Sequence, residues 1–356
     1  MTPKERMVGL IQGKEIDLVP FVQYHNLNAK DVEIWEMFGK DKMGVLKWVQ
    51  AYRIETPHCK FVHKIIRDGK LFGWQDTLIT PKGNLIQKRF RIPHLDETAI
   101  VEHFIKKIDD YHILLAYLRD FHIVEDLTQI QQCHKMLGEG GIPHVCLPRT
   151  PFQSLWIEWV SLEDFVIHLF CDDPGLLNEV MQLLGEILLH ALKVTTDAIG
   201  KVEFYHVVIA DNIHAPVIGK QLFQEWCIPY YNTISDILRE KGLPFLVHMD
   251  GDLRALWDEI DTCRIRGFDS LSPPPDNDTS VSEALSRWPG KMVWANFPSS
   301  VHLDTQEDIY NMSLELLKQG GHTRRFWIQI SENVPPGVWR KSFPPIIQAI
   351  EDFGKP

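Results

Sequence analysis

Pro244-Phe-Leu-Val-His248-Met-Asp250-Gly251 carries an apolar run straight into a histidine and an aspartate two positions apart. A run this rich in branched and aromatic residues reads as a buried strand, and residues two apart leave an extended chain on the same side. His248 and Asp250 can therefore grip one metal ion or one substrate. In a plainer reading, His248 closes the strand as a core histidine and Asp250 caps the helix that follows from Leu253. Similar strand-then-polar signatures end at Tyr24 and His25, at Arg149, at Asp211 and Asn212, at Asn296, and at Glu332 and Asn333. Glu332 follows a run too apolar for a surface, and Pro335 and Pro336 keep the chain from entering a helix at once. Asp211 as a local cap and Arg149 as half of a structural ion pair are the corresponding plain readings.

One histidine with several carboxylates suits zinc or another borderline divalent ion, held by nitrogen and oxygen with a position left for substrate. Without a metal, the same set supplies a general acid and a general base. His206 lies inside a strand and His214 in a loop beyond one, so neither reads as a ligand. Trp156, Trp159, Trp294, Phe297 and Trp339 can wall an apolar pocket, although such residues are more often core.

These residues share one mouth only if the strands are parallel and joined by helices. From Phe204 onward strand and helix alternate, with strands at 204–212, 244–248, 267–271, 291–296 and 326–333. Earlier strands are expected at 17–26 and 142–150, and helices over 30–52, 97–137 and 221–241. The count of about seven or eight strands favours a (β/α)8 TIM-type barrel, whose chemistry sits at the C-terminal strand ends. Residues 60–91 read differently, as three runs separated by Asp68-Gly69 and Pro81-Lys-Gly83, an antiparallel meander inserted near the N-terminus. The expectation is a single barrel domain over 1–356 with that insertion. No G-x-G-x-x-G or Walker-type loop follows any strand, which removes the main support for dinucleotide or nucleotide binding.

With 44% hydrophobic and 24% charged residues the chain is an ordinary globular one, and its net charge of −11 without a basic run argues against nucleic acid. No apolar run approaches the ~18 residues of a membrane span, and Thr2-Pro3 with Glu5 reads as a capping box rather than a signal peptide. A cytoplasmic protein with reduced cysteines is expected, since its six cysteines form no C-x-x-C pair.

Taken together, Met1-Thr-Pro-Lys-Glu-Arg6 with Asp17-Leu-Val-Pro-Phe21, Ala210-Asp-Asn212, Phe223 to Tyr231, Lys241-Gly-Leu-Pro244 running to His248-Met-Asp-Gly251, and Glu332-Asn-Val-Pro-Pro336 resemble the uroporphyrinogen decarboxylase superfamily over nearly the whole chain. The resemblance is to the branch of cobalamin-dependent methyltransferases. It implies the same barrel, with the site at its C-terminal mouth. In that branch a His-x-Cys-Gly motif and a later cysteine bind zinc; the matching positions here are His248, Asp250 and Glu332, so both thiolates are replaced by carboxylates and the site becomes harder. True decarboxylases of the family carry an arginine-rich motif after the first strand, where this chain has Gln23-Tyr-His-Asn26.

The resemblance thus implies an O-demethylase-type component moving a methyl group from a small methylated substrate, a methyl ether, to a corrinoid protein. Metal would be held by His248, Asp250 and Glu332. Asp211, Tyr24 and His25 would orient substrate or protonate the leaving oxygen, and Asn212, Arg149, Asn296 and Asn333 would bind substrate. A homodimer is expected because relatives form one. The alternative is a decarboxylase or lyase that uses the same groups without cobalamin.

Overall fold

The computed structural model describes residues 1–92 and 98–356 and resolves the chain into two compact units. The first comprises Met1–Ala51, Leu127–Leu147 and Thr196–Pro356. Its eight strands are β1 (Phe21–Tyr24), β2 (Gly44–Val49), β3 (Gly141–Leu147), β4 (Val207–Ile209), β5 (Phe245–His248), β6 (Gly267–Leu271), β7 (Met292–Asn296) and β8 (Phe326–Ile330). They close into a barrel in the order β1-β8-β7-β6-β5-β4-β3-β2, and every neighbouring pair is parallel. The expected (β/α)8 barrel is present, and the C-terminal ends of its strands all point one way.

Strand β2 is the departure from the sequence reading, which assigns 30–52 to helix. The helix there covers only Asp31–Phe38 and ends at Gly39, whose φ of 101° no helical residue adopts. A short apolar run such as Val45-Leu-Lys-Trp-Val49 cannot be told from helix by spacing alone. Its pairing with β1 on one side and β3 on the other decides the matter. Likewise the helix expected over 221–241 is two, Ala215–Trp226 and Ile228–Glu240, because Pro229 fits only the first turn of a helix.

Alternation turns Val22, Leu46, Ile142, Val208, Leu246, Trp294 and Trp327 into the barrel, where they meet Met7 and Leu10 of the helix Pro3–Ile11 in one buried cluster. That helix starts where expected, with Thr2 and Glu5 completing the capping box. Burying Met7 and Leu10 stabilises the closed end by about 2 kcal/mol each. Trp294 stacks on Trp327 with ring centroids 3.9 Å apart, and Phe297 and Trp339 are buried too; these aromatics are core rather than pocket wall.

The second unit comprises Tyr52–Asp126 and Pro148–Thr195. It contains the expected meander, as strands Lys60–Asp68, Leu71–Thr80 and Gly83–Arg91, with Thr98–Glu102 as a fourth. A separate antiparallel pair, Tyr52–Glu55 with His122–Glu125, replaces part of the helix expected over 97–137; Glu97 itself lies outside the described residues. The meander is therefore one part of a larger body that also includes all but the last two residues of the helix Pro174–Asp197. Among the described residues no helix is long and apolar enough to cross a membrane, and Cys59, Cys133, Cys146, Cys227 and Cys263 carry free thiols.

Candidate functional site

At the end of β5 the chain delivers His248 on the inner face of the barrel, continuing the inward row of Leu246. Asp250 follows on the same side, and His248 Nε2 lies 3.5 Å from its Oδ2. From the end of β8, Glu332 reaches the same place: His248, Asp250 and Glu332 each bring one ligand atom within 4.8 Å of the others. The imidazole is buried and the two carboxylates are half-buried.

Neighbouring loops hold Glu332 and Asp250 in position. Asn28, after β1, donates to the Glu332 carbonyl at 3.1 Å and accepts from Val334 N–H at 2.8 Å. Asn277 donates to the Asp250 carbonyl at 2.8 Å. Asp250 does not cap the segment from Leu253: that role belongs to Asp278, which accepts from the N–H groups of Leu253 and Arg254 at 2.9 and 3.1 Å. The plainer reading of Asp250 is thereby overturned. His214 proves structural, accepting from Asp252 N–H at 3.0 Å. Its loop packs so closely on Gly251 that a Cβ there would lie 2.6 Å from the imidazole, so glycine is required.

Behind His248 stands Asp269, a residue the sequence reading passed over. It lies on β6 in register with His248 and is wholly buried. Its Oδ2 accepts from Tyr24 Oη at 2.7 Å and lies 3.2 Å from His144 Nε2 and 3.3 Å from His248 Nδ1. Gln329 Nε2 donates to its Oδ1 at 3.0 Å. Burial pushes this carboxyl up, but His144 and His248 outweigh that and hold it well below the usual carboxylate range. Burial likewise pushes His248 down, yet its hydrogen bonds to Asp250 and Asp269, and their charges, raise it to about 10. For Tyr24, burial and then the charges of Asp269, Glu332 and Asp250 all push the hydroxyl well above its ordinary value. Tyr24 therefore remains a proton donor throughout the physiological range.

His206 is buried inside the barrel and contacts His144 at 2.7 Å. Burial and the neighbouring His144 push it well below the usual histidine value, so it is neutral.

The remaining expected residues fall into separate groups. His25 is engaged by Asp31, its Nδ1 lying 2.5 Å from Oδ2, and Asp31 also accepts from Gln23 and from Asn26 N–H. Asp211 is fully buried and accepts from Tyr231 Oη at 2.7 Å, a residue of the helix Ile228–Glu240 on the outside of the barrel. Asn212 and Asn333 are more exposed than the carboxylates they follow. Arg149 belongs to the second unit, where it pairs with Glu158 at 3.3 Å. Asn296 is buried at the end of β7, and its Oδ1 accepts from both the N–H and the hydroxyl of Ser331, at 3.0 and 2.9 Å. Because a backbone donor fixes that oxygen, the amide nitrogen is fixed too, and among the described residues it is buried without a partner.

Fold and site together define a parallel (β/α)8 barrel enzyme-type scaffold with an imidazole and two carboxylates converging at the C-terminal strand ends. A family model described as uroporphyrinogen decarboxylase (URO-D) matches residues 164–350, more than half of the chain, and the protein belongs to that family. A uroporphyrinogen decarboxylase of Anaeromyxobacter dehalogenans (strain 2CP-C) is 24% identical over 137 residues, a match spanning 38% of this chain and 38% of that relative. In fold, the chain is similar to a methyltransferase from Methanosarcina mazei, with a TM-score of 0.60, 11% identity and 99% of each chain covered.

Proposed function

We propose that this protein is a metal-dependent methyltransferase of the URO-D family, the substrate-specific component that moves a methyl group from a small methyl ether to a corrinoid protein. The observation that carries the reading is the approach of His248, Asp250 and Glu332 to within 4.8 Å of one another. The donor set fits a borderline divalent ion such as zinc, which takes imidazole nitrogen and carboxylate oxygen at about 2.1 Å. His248 and Asp250 already stand at 3.5 Å, the spacing of two donors on one small cation. Bound there, the metal would supply Lewis-acid polarisation of a substrate oxygen.

The rest is the work of the chain's own residues. Two carboxylates with a neutral imidazole balance a divalent charge, so the loaded centre suits an uncharged ether better than a polycarboxylate. Tyr24, held protonated by its surroundings, donates its proton to Asp269 behind His248, and the Asn296 amide offers a donor to a substrate oxygen. His25, tied to Asp31, is positioned at the end of β1 to orient substrate.

The test is elemental analysis of purified protein, followed by incubation with methyl ethers and reduced cobalamin. About one zinc per chain together with methylated cobalamin supports the reading; a metal-free protein sinks it. A second reading rests on the Tyr24, His248 and Asp269 contacts, which suit proton transfer without cobalamin. A decarboxylase or lyase of this kind would turn over a small acid with no corrinoid present.

A further inference from the structure

We propose that Asp269 is the positioning residue of this centre: it fixes the His248 ring so that Nε2 alone can serve as the ligand. The inference deepens the metal reading of the same site and rests on it. Its support is a chain of hydrogen bonds in which each donor leaves the next group a single role.

Trp327 Nε1 can only donate, and it donates to Gln329 Oε1 at 2.9 Å. The Gln329 oxygen is thereby taken, so its amide nitrogen faces Asp269 Oδ1, at 3.0 Å. Asp269 is thus an acceptor on both oxygens. Tyr24 has one proton and gives it to Asp269 Oδ2 at 2.7 Å. Its oxygen, 3.1 Å from His248 Nδ1, can then only accept. Both groups facing Nδ1, Tyr24 Oη and Asp269 Oδ2 at 3.3 Å, are therefore acceptors. His248 must keep its hydrogen on Nδ1, so Nε2, on the Asp250 side, is the nitrogen that can give up its proton and become the ligand.

A carboxylate behind a metal-binding imidazole fixes the tautomer, blocks ring rotation and raises the basicity of the coordinating nitrogen. Here the carboxylate comes from the neighbouring strand at the same level of the barrel, so the backbone register itself sets the distance. His144, 3.2 Å from the same oxygen, holds Asp269 from the far side.

The probe is zinc alone, titrated against a chromophoric chelator with full-length wild type, Asp269→Asn and Gln329→Leu, each checked for folding by thermal melting. Asp269→Asn is expected to weaken zinc binding about ten- to a hundredfold, and Gln329→Leu, which leaves His248 untouched, to weaken it in the same direction by less. Ring-nitrogen NMR of the zinc-loaded wild type is expected to show His248 with hydrogen on Nδ1 and zinc at Nε2. Zinc at Nδ1, or a folded Asp269→Asn protein that binds zinc as tightly as wild type, overturns the assignment. The NMR spectrum decides the question if Asp269→Asn does not fold. Wild type that binds no zinc fails the metal centre itself, an outcome distinct from a zinc-binding wild type that is indifferent to Asp269.

Discussion

Strands β4 and β5 lie side by side, and in sequence their ends look alike: an apolar run and then an acid, Asp211 in one and Asp250 after His248 in the other. In the folded chain they diverge. Asp211 accepts from Tyr231 on the outer helix and is fully buried, whereas Asp250 is half-buried and faces an imidazole held from behind by the barrel interior. The lesson is that a polar strand end presents an atom to the mouth only when other groups hold its neighbour. A carboxylate answered from the helical layer holds two elements together instead.

The sharpest way to break this contrast is to swap the insult. His248→Ala is expected to lower zinc affinity by more than about a hundredfold, because it removes one of three proposed protein donors, and to lower stability too, because the buried Asp269 carboxylate loses a partner. Asp211→Asn is expected to act on stability alone: metal content unchanged, stability reduced by about 1–3 kcal/mol as the buried Tyr231 contact is weakened. Metal analysis and thermal unfolding of both proteins read this directly. Loss of metal in Asp211→Asn would place Asp211 in the centre after all and erase the contrast.

Much of this was legible from sequence because strand ends announce themselves. His248, Asp250 and Glu332 each follow an apolar run, and those runs became β5 and β8. Asp269 was not found by that rule because it lies within β6, two residues before the strand ends, although it stands level with His248. The available signal was an acid inside the five-residue run Gly267-Phe-Asp-Ser-Leu271, where every residue is buried. A carboxylate in such a strand demands partners, but which partners depends on register, and register is absent from a single sequence. Ser270 adds a second hidden feature: with φ at 65°, beside a register shift in β6, it turns its hydroxyl to Ser331. Strand β2 escaped for a different reason, since six residues of mixed character satisfy helix and strand equally until their neighbours are known.

The contrast extends to pH. His302, beyond β7, is another internally answered group, bonded to Ser342 at 2.8 Å. Burial lowers it from 6.5 to about 4, against a small opposing pull from Asp276. Between those two values the unfolded chain binds a proton that the native chain refuses, so stability falls as pH drops from 6.5 to 4 and the loss is complete below 4. The full effect is about 3 kcal/mol. Chemical denaturation across that window should show a shallower pH slope for His302→Gln than for wild type. Equal slopes would mean that His302 is protonated in the native protein.

The smallest effect separates the two aspartates that compete for the same cap. Asp278 accepts from the N–H groups of Leu253 and Arg254, so Asp278→Ala should cost about 1 kcal/mol of stability, the usual loss on removing such an acceptor. Its zinc affinity should remain that of wild type. Asp250→Asn should give the opposite signature, an unchanged melting temperature with weakened zinc binding, because its side chain faces His248 Nε2 and not the backbone donors. Were Asp250→Asn to lower stability while binding zinc normally, Asp250 would be a structural acid, and the centre would shrink to His248 and Glu332. Two protein ligands hold a borderline ion far less firmly than three, so undiminished affinity would mean that a donor other than Asp250 completes the centre.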